Sequence, residues 1–212
     1  MKMQHLLALF TAIVVFASCE PQLVFEEPQP SSSKEQTSFK RKYQGNYLNL
    51  EDSSQLLISE HTILRKWTGE GHIEMDNLDS INAQINADNL TLISKNADSA
   101  LVQFNYQKNV FNLSSDQVLK RYKNYCFLND QDAAGNWKLT LLYFSDQDEL
   151  VLKELKNDEA AIDLMERLTH LKAIVNEEGE TEDYLANPTK EEWKEIIDAD
   201  VFTNAQYFIK TE

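Results

Sequence analysis

The feature that most constrains the fold is a long succession of short strand-like runs between Tyr43 and Leu155, with no helical interval among them. The runs recur about every ten residues, and turn-forming Gly, Asn and Asp residues separate them. Consecutive strands without helical crossovers pair antiparallel with their neighbours, and a long antiparallel meander curls. The sequence therefore predicts a mainly β protein of the α+β class, in which the meander forms a curved sheet or a barrel-like body.

The predicted strands are rich in β-branched, aromatic and other apolar residues. Glu60 and His61 are predicted to form a tight hairpin between the first two strands, and the two glycines within residues 68–71 are predicted to form the next turn. The predicted strands cover residues 55–59, 62–67, 80–86, 89–94, 100–106, 110–113, 118–128, 137–145 and 149–155.

The apolar spacing changes after Asn157. Apolar residues then recur at steps of three and four, which predicts an amphipathic helix over residues 158–175. Such a helix would cover one face or one opening of the sheet. The acidic residues 177–183 that follow are predicted to form a solvated loop.

A second helix is predicted over residues 190–199. Thr189 lies three residues before Glu192, which is the spacing of a capping box at a helix start. Residues 206–210 are predicted to form a terminal strand. One globular domain, residues 41–212, is therefore expected, with a sheet over 41–156, a helical region over 157–200 and a terminal strand within 201–212.

Residues 1–18 are predicted to be an export signal. Lys2 precedes an apolar run over residues 6–17, which is shorter than the roughly 20 residues of a membrane-spanning helix. The four residues that end at Cys19 resemble the lipobox of bacterial lipoproteins, which implies cleavage before Cys19 and acylation of its thiol. Phe16 stands where that motif usually has an aliphatic residue, so ordinary signal cleavage is the alternative.

Residues 19–40 are predicted to be a flexible tether behind the lipidated Cys19, because they contain three of the four prolines and three consecutive serines. A coil of this length would average about 25 Å end to end and could extend to about 65 Å. Buried acyl chains each add many favourable methylene contacts, so they would hold such a chain on a membrane. The body is then expected to stand clear of the lipid headgroups.

The two cysteines lead to a further expectation. If Cys19 carries lipid, Cys126 is the only remaining thiol, and no internal disulfide can form. Cys126 lies between Tyr125 and Phe127 in an apolar run, so the sequence predicts a buried and inert thiol.

One local pattern is a candidate metal site. Strand alternation would place His72, Glu74 and Asp76 on one face, where an imidazole and two carboxylates could hold a divalent cation. The favoured interpretation is a polar outer face, with Ile73 and Met75 turned inward. No cofactor is predicted, and no GxSxG or HExxH motif occurs.

Two tripeptides are candidate modification sites. Residues 79–81, Asp-Ser-Ile, and residues 98–100, Asp-Ser-Ala, resemble the acceptor for O-glycans on exported proteins of Bacteroidota. This resemblance implies glycosylation of Ser80 and Ser99. Such tripeptides are short, and they also occur by chance.

The general layout resembles that of uncharacterised exported lipoproteins of Bacteroidota over nearly the whole chain. The resemblance rests on the lipobox at Cys19, the proline-containing segment, the opening residues 42–47, Trp137 after a turn and the closing helix at residues 189–193. It implies a location in the cell envelope and identifies no catalytic residue.

These features predict a membrane-anchored envelope lipoprotein that acts as a non-enzymatic binding or accessory module, with the outer membrane as the expected location. The expected partners are the lipid bilayer, through the acyl anchor, and an envelope protein. The formal net charge of −15 argues against nucleic acid as a partner. The alternatives are a lipocalin-like carrier of a small apolar ligand or glycan, and a glycan-directed hydrolase.

Overall fold

The computed structural model describes residues 21–74, 90–96, 98–156, 158–199 and 201–211. The predicted signal segment and Cys19 lie outside these residues. The strands are β1 (Gln22–Phe25), β2 (Gly45–Asn49), β3 (Gln55–Ile58), β4 (Thr62–Glu74), β5 (Leu90–Lys95), β6 (Ser99–Asn112), β7 (Gln117–Tyr122), β8 (Tyr125–Gln131), β9 (Trp137–Phe144), β10 (Leu150–Leu155), β11 (Leu171–Val175), β12 (Thr181–Ala186) and β13 (Phe202–Thr211), and the helices are α1 (Glu159–Leu168) and α2 (Lys190–Asp198).

The described strands form one mixed sheet in the order β11-β12-β1-β9-β10-β13-β2-β3-β4-β6-β5. β7 and β8 branch from this path, because β8 pairs with β9 along the edge opposite β10. β1 and β12 pair in parallel, and the other strand pairs are antiparallel. Within the described residues the path ends at β11 and β5, so the prediction of a curved α+β sheet is confirmed in its open form rather than as a barrel.

The sheet separates two hydrophobic clusters, and β8 and β9 contribute to both. Alternate residues of a strand point to opposite faces. Phe127 and Leu141 therefore pack in the first cluster, while Cys126 and Leu142 pack in the second. The first cluster lies against the helices, and β2, β3, β4, β6 and β13 contribute to the second.

Both helices begin at side-chain caps. Asp158 accepts a hydrogen bond from the backbone N–H of Ala161 at 2.8 Å and starts α1. Thr189 and Glu192 form the predicted capping box at the start of α2, so that helix is confirmed. The hydroxyl of Thr169 also donates to Glu192 at 2.9 Å, which joins the end of α1 to the start of α2. None of the described helices is long and apolar enough to cross a membrane.

The prediction of one long helix over residues 158–175 is wrong. The helix ends at Leu168, and residues 171–175 pair antiparallel with β12 as β11. Part of the predicted acidic loop, residues 177–183, is therefore strand. β11 forms a hairpin with β12, and β12 pairs in turn with the distant β1. The apolar spacing does not reveal these pairings, which override the helical pattern here.

Three strand boundaries also differ from the prediction. The glycines of residues 68–71 do not form a turn, because Gly69 and Gly71 lie inside β4 opposite Phe104 and Val102. Residues 100–106 and 110–113 join into β6, with a register shift beside Val110. The predicted strand 118–128 is instead two strands, β7 and β8, separated by a turn in which Lys123 has a left-handed φ of 53°. The predicted strand 80–86 lies outside the described residues.

The flexible tether predicted over residues 19–40 is wrong from Gln22 onward. Residues 21–40, here called the strap, are packed onto the body. Gln22 pairs with Asp183 of β12, and residues 23–25 are buried in the sheet. Further along, the backbone N–H of Gln36 bonds to Leu119, and Phe39 is buried in the second cluster.

Polar groups of the body hold the strap by hydrogen bonds to its backbone and side chains. The backbone N–H of Gln29 donates to Oδ1 of Asn129 at 2.6 Å, and Nδ2 of Asn129 donates back to the Gln29 carbonyl at 2.9 Å. Trp193 Nε1 donates to Oε1 of Gln29 at 3.1 Å. Lys120 Nζ donates to the carbonyls of Pro28 and Pro30 at 2.8 and 3.3 Å. The proline-rich composition predicted a linker. That prediction was wrong because the local sequence does not show these distant partners.

Candidate functional site

The candidate functional site is an open cleft where β13 passes between two turns. Its volume is about 550 Å³, which lies within the range of small-molecule sites. One turn follows β2, and the other joins β9 to β10. The lining residues combine apolar, hydroxyl, amide and carboxylate side chains; they are Leu50, Glu51, Ser145, Asp146, Gln147, Glu149, Tyr207 and Ile209.

The alternation of β13 places two large side chains on the cleft floor. Phe208 is fully buried in the second cluster, so Tyr207 and Ile209 point to the opposite face. Tyr207 lies beside Val151 of β10, and Ile209 lies beside Leu48 of β2. Tyr207 remains 44% exposed, which leaves its ring accessible to a ligand.

The first turn is held by a buried asparagine. Oδ1 of Asn49 accepts hydrogen bonds from the backbone N–H groups of Glu51 and Asp52 at 2.8 and 3.3 Å. This is the local arrangement for which Asn favours turns. It fixes the backbone beneath Leu50, whose side chain is 68% exposed.

The second turn is held by a serine. Oγ of Ser145 accepts hydrogen bonds from the backbone N–H groups of Gln147 and Glu149, each at 3.2 Å. The backbone N–H of Ser145 donates to the carbonyl of Glu149 at 2.8 Å, and Asp148 has a left-handed φ of 58°. Both walls of the cleft are therefore set by hydrogen bonds within the turns before any ligand binds.

The electrostatic character of the cleft is acidic. Glu51, Asp146 and Glu149 place three carboxylates around the exposed ring of Tyr207. Nearby, burial is the main cause that raises the pKa of Tyr143, and the neighbouring Tyr125 and Tyr207 raise it further. The site offers hydrogen-bond acceptors beside an apolar surface, and its charge disfavours anions.

A second exposed aromatic surface lies on the arm, defined here as residues 67–74, 90–95 and 99–107 of β4, β5 and β6. The rings of Trp67 and Tyr106 lie 5.3 Å apart, centroid to centroid. Arg65 stacks on Trp67 and forms an ion pair with Asp52 at 2.9 Å. Tyr106 is 54% exposed, so the arm carries a ring comparable in exposure to Tyr207 but outside the cleft.

The candidate metal ligands are only partly described. His72 and Glu74 are exposed at alternate positions of β4, so they share one face as predicted. Asp76 lies outside the described residues. Within the described ranges, no group of three or more His, Cys, Asp or Glu side chains is arranged to hold a metal ion.

Of the candidate modification sites, the structure describes Ser99, and strand pairing places it opposite Glu74 of β4. Ser80 and Cys19 lie outside the described residues. Ser99 begins β6, and Oδ1 of Asn96 accepts hydrogen bonds from the backbone N–H groups of Asp98 and Ser99 at 2.9 and 2.7 Å. Glycosylation at Ser80 and Ser99, like lipidation at Cys19, stays a prediction.

The prediction that Cys126 is buried is confirmed, and its thiol is free. Burial raises the pKa of the Cys126 thiol, which disfavours the reactive thiolate. Tyr43 lies beside it, with its hydroxyl donating to the carbonyl of Asn124 at 2.8 Å. Burial also raises the pKa of Tyr43.

Sequence reasoning did not find the cleft. The predicted strands 137–145 and 149–155 imply a turn at residues 146–148, but nothing local links that turn to Leu50 or Tyr207. The available signal was the alternation around buried Phe208, which predicts outward-facing neighbours without showing what lies beside them. Comparisons with protein-family models, curated proteins and solved structures each gave no match to this chain.

Proposed function

We propose that this protein is a lipid-anchored, non-enzymatic binding module of the bacterial cell envelope, held at the outer membrane by acylation of Cys19, and that its ligand binds in the open cleft. The proposal depends on one observation. The cleft combines the exposed apolar surface of Tyr207 and Ile209 with carboxylates on two hydrogen-bonded turns. Concave sites with apolar walls and a few fixed polar groups are typical of ligand binding.

The ligand class that fits this chemistry is a neutral or amino sugar. A pyranose has an apolar C–H face, which can pack on the exposed ring of Tyr207, and hydroxyl groups, which can donate to Glu51, Asp146 and Glu149. The carboxylates would repel phosphate and uronate groups, and they would favour an ammonium group.

Carriage of a ligand inside the curved sheet is the less favoured alternative. The second cluster is filled by aromatic rings, and Phe39, Tyr43, Tyr47 and Phe111 are all buried. A lipocalin-like ligand would have to displace packed rings, which costs several favourable contacts for each ring. Binding at the open cleft requires no such displacement.

A glycan-directed hydrolase is the second candidate function, because three carboxylates line the same cleft. Glycoside hydrolysis uses a pair of carboxyl groups about 5–10 Å apart. If the protein is a hydrolase, prolonged incubation with a bound oligosaccharide should release shorter products, and Glu149→Gln should reduce that release. Intact oligosaccharide after incubation would favour the binding module.

The direct test is calorimetric titration with a panel of neutral and amino oligosaccharides. Tyr207→Ala should weaken binding about threefold to tenfold, as expected for the loss of one aromatic contact. Tyr106→Ala is the matched control, because it removes a similarly exposed ring from the arm, and it should leave affinity unchanged. Equal effects of the two variants, or no binding by the native chain, would overturn the cleft assignment.

The anchor has a separate test in cells. Cys19→Ser should release the protein from the membrane fraction and prevent acylation. Retention of this variant in the envelope at unchanged size would overturn the proposed anchor while leaving the cleft proposal intact. Chemical cross-linking of the native chain in membranes would then identify the envelope protein partner expected for an accessory module.

A further inference from the structure

The strap limits how far the body can lie from an acyl group on Cys19. The backbone N–H of Gln22 donates to Oδ1 of Asp183 at 3.0 Å, and residues 23–25 are buried directly afterwards. Three peptide units separate Cys19 from Gln22, so their Cα atoms can be at most about 11 Å apart. This reach is far shorter than that of the flexible tether predicted from composition.

The strand order identifies the part of the body that is closest to this anchor. Because β1 and β12 are parallel and Gln22 pairs with Asp183, the starts of both strands lie side by side. The acidic hairpin, defined as residues 171–186 of β11, β12 and their turn, therefore shares this end of the sheet. Its turn is ordered by Asn176, whose Oδ1 accepts from the backbone N–H groups of Glu178 and Glu180 at 3.0 and 2.9 Å.

The charge of this end is strongly negative. The hairpin exposes four carboxylates within the six residues that precede Asp183; they belong to Glu177, Glu178, Glu180 and Glu182. Screening in about 0.1 M salt confines the effect of surface charges to about 10 Å, so only charges close to the headgroups are felt there. Carboxylates within that distance are repelled by an anionic leaflet.

We infer that, once acylated at Cys19, the protein lies directly on the bilayer with the acidic hairpin facing the headgroups, and that this surface fits zwitterionic rather than anionic phospholipid. The inference rests on the acylation of Cys19 in the proposed function. The cleft ligand has no part in it. In this arrangement the body is held against the membrane, whereas the flexible tether predicted from composition would let it stand clear of the headgroups.

The distance is tested on a supported phosphatidylcholine bilayer that contains a maleimide lipid. The chain from Cys19 to Glu212 couples through Cys19, because Cys126 is buried. Neutron reflectometry should find a water layer below about 10 Å between headgroups and protein. A matched variant with about 20 Gly and Ser residues inserted between Pro21 and Gln22 should widen that layer to about 25 Å. Equal water layers for the two proteins would overturn the inference.

The orientation is tested by the rate at which Cys19 couples to the maleimide lipid in vesicles. These vesicles contain about one third phosphatidylglycerol, and the salt concentration is about 0.1 M. Two variants that change the net charge equally are compared. The hairpin variant carries Glu177→Gln, Glu178→Gln and Glu180→Gln, and the arm variant carries Glu70→Gln and Glu74→Gln on the arm together with Asp98→Asn directly before β6. The hairpin variant should couple several-fold faster than the native chain, and the arm variant less than about twofold faster.

Equal acceleration of the two variants would overturn the orientation. Both measurements use a synthetic lipid, so they do not depend on acylation in cells. If the two variants couple equally fast and Cys19→Ser is lost from the envelope, the orientation is refuted and the anchor is supported. Success here with unchanged retention of Cys19→Ser would support the geometry and refute the anchor.

Discussion

The strap contains three prolines and three consecutive serines, yet it buries Phe25 and Phe39 completely, whereas the arm carries Trp67, Phe104 and Tyr106 and leaves two of these three rings largely exposed. The difference lies in what each region contacts. The body supplies side-chain donors and acceptors to the strap backbone. On the arm, the strands pair with one another and the exposed rings contact chiefly their neighbours on the arm.

This comparison shows that burial depends on distant partners more than on local composition. A polar segment can be buried when its carbonyl and N–H groups are satisfied, because an unpaired buried polar group is the main cost of such burial. An apolar strand stays exposed where no second layer covers it. Variants matched between the two regions therefore separate these effects.

The largest expected effect comes from the tryptophan beneath the strap. Trp193 is fully buried, lies edge-on to Phe127 at 5.0 Å and bonds to Gln29. Trp193→Ala should lower the free energy of unfolding by about 3–5 kcal/mol, because it leaves a cavity and an unpaired amide oxygen. Trp67→Ala on the arm should cost about 1 kcal/mol, mainly through lost stacking on Arg65. Urea unfolding measures both, and equal costs would contradict the contrast between strap and arm.

The next largest effect isolates the hydrogen bonds from the packing. Asn129→Ala removes the acceptor of the Gln29 N–H and the donor to the Gln29 carbonyl. We expect a loss of about 2–3 kcal/mol in urea unfolding, because these buried groups lose their partners. Native-state hydrogen exchange should show faster exchange at the Gln29 amide.

Asn105→Ala is the control on the arm. Among the described residues, the exposed hydroxyl of Thr68 donates to the side-chain oxygen of Asn105 at 3.1 Å. The free energy of unfolding should change by no more than about 0.5 kcal/mol. A loss here as large as that for Asn129→Ala would show that exposed and buried amides contribute alike, contrary to the proposed origin of strap burial.

How far the sequence predicts these regions depends on the range of the interactions that form them. α2 was predicted because the two members of its capping box, Thr189 and Glu192, are three residues apart. The meander between β2 and β10 was largely predicted because alternation and turn residues are also local. The strap was not predicted, since Gln29 and its partner Trp193 are 164 residues apart.

The candidate site was missed for the same reason. Its two turns are held locally, by Asn49 and Ser145, and a turn was predicted at the second. The cleft exists only because β13 returns to pair with both β2 and β10, which places Tyr207 between those turns. No spacing in the sequence encodes that return. The membrane-facing end was missed likewise, because it depends on the parallel pairing of β1 with β12.

A smaller effect is expected in the pH dependence of stability, and it concerns Tyr47 in the core beneath the strap. Burial raises the pKa of Tyr47 to about 12, whereas an unfolded chain titrates near its ordinary value of about 10. Between these values the unfolded chain has lost the proton that the folded chain keeps. The stabilisation is therefore complete below about pH 10 and is lost as the pH rises through about 12.

Between about pH 10 and pH 12, the free energy of unfolding should fall less for Tyr47→Phe than for the native chain. At about pH 8 the variant should lose about 1 kcal/mol, because the Tyr47 hydroxyl donates to the carbonyl of Tyr43 at 2.8 Å. Tyr106→Phe, on the exposed arm, should leave stability at about pH 8 unchanged within about 0.5 kcal/mol. Urea unfolding across the pH series measures these changes, and an unaltered slope for Tyr47→Phe would refute the role of Tyr47.

The smallest effect tests whether packing on the arm is local. A Cβ at Gly69 would overlap the ring of Phe104 at Cζ, so the glycine makes room for that ring. Gly69→Ala should cost about 1 kcal/mol, because the partly exposed ring can swing outward. In a Phe104→Ala background the same change should cost nothing or stabilise, since alanine loses less backbone freedom than glycine. Urea unfolding of all four proteins gives the coupling energy, expected to be about 1 kcal/mol. Additive effects would mean that the position of the Phe104 ring does not depend on Gly69. The packing on the arm would then not be local, and its contrast with the strap, which depends on partners far along the chain, would fail.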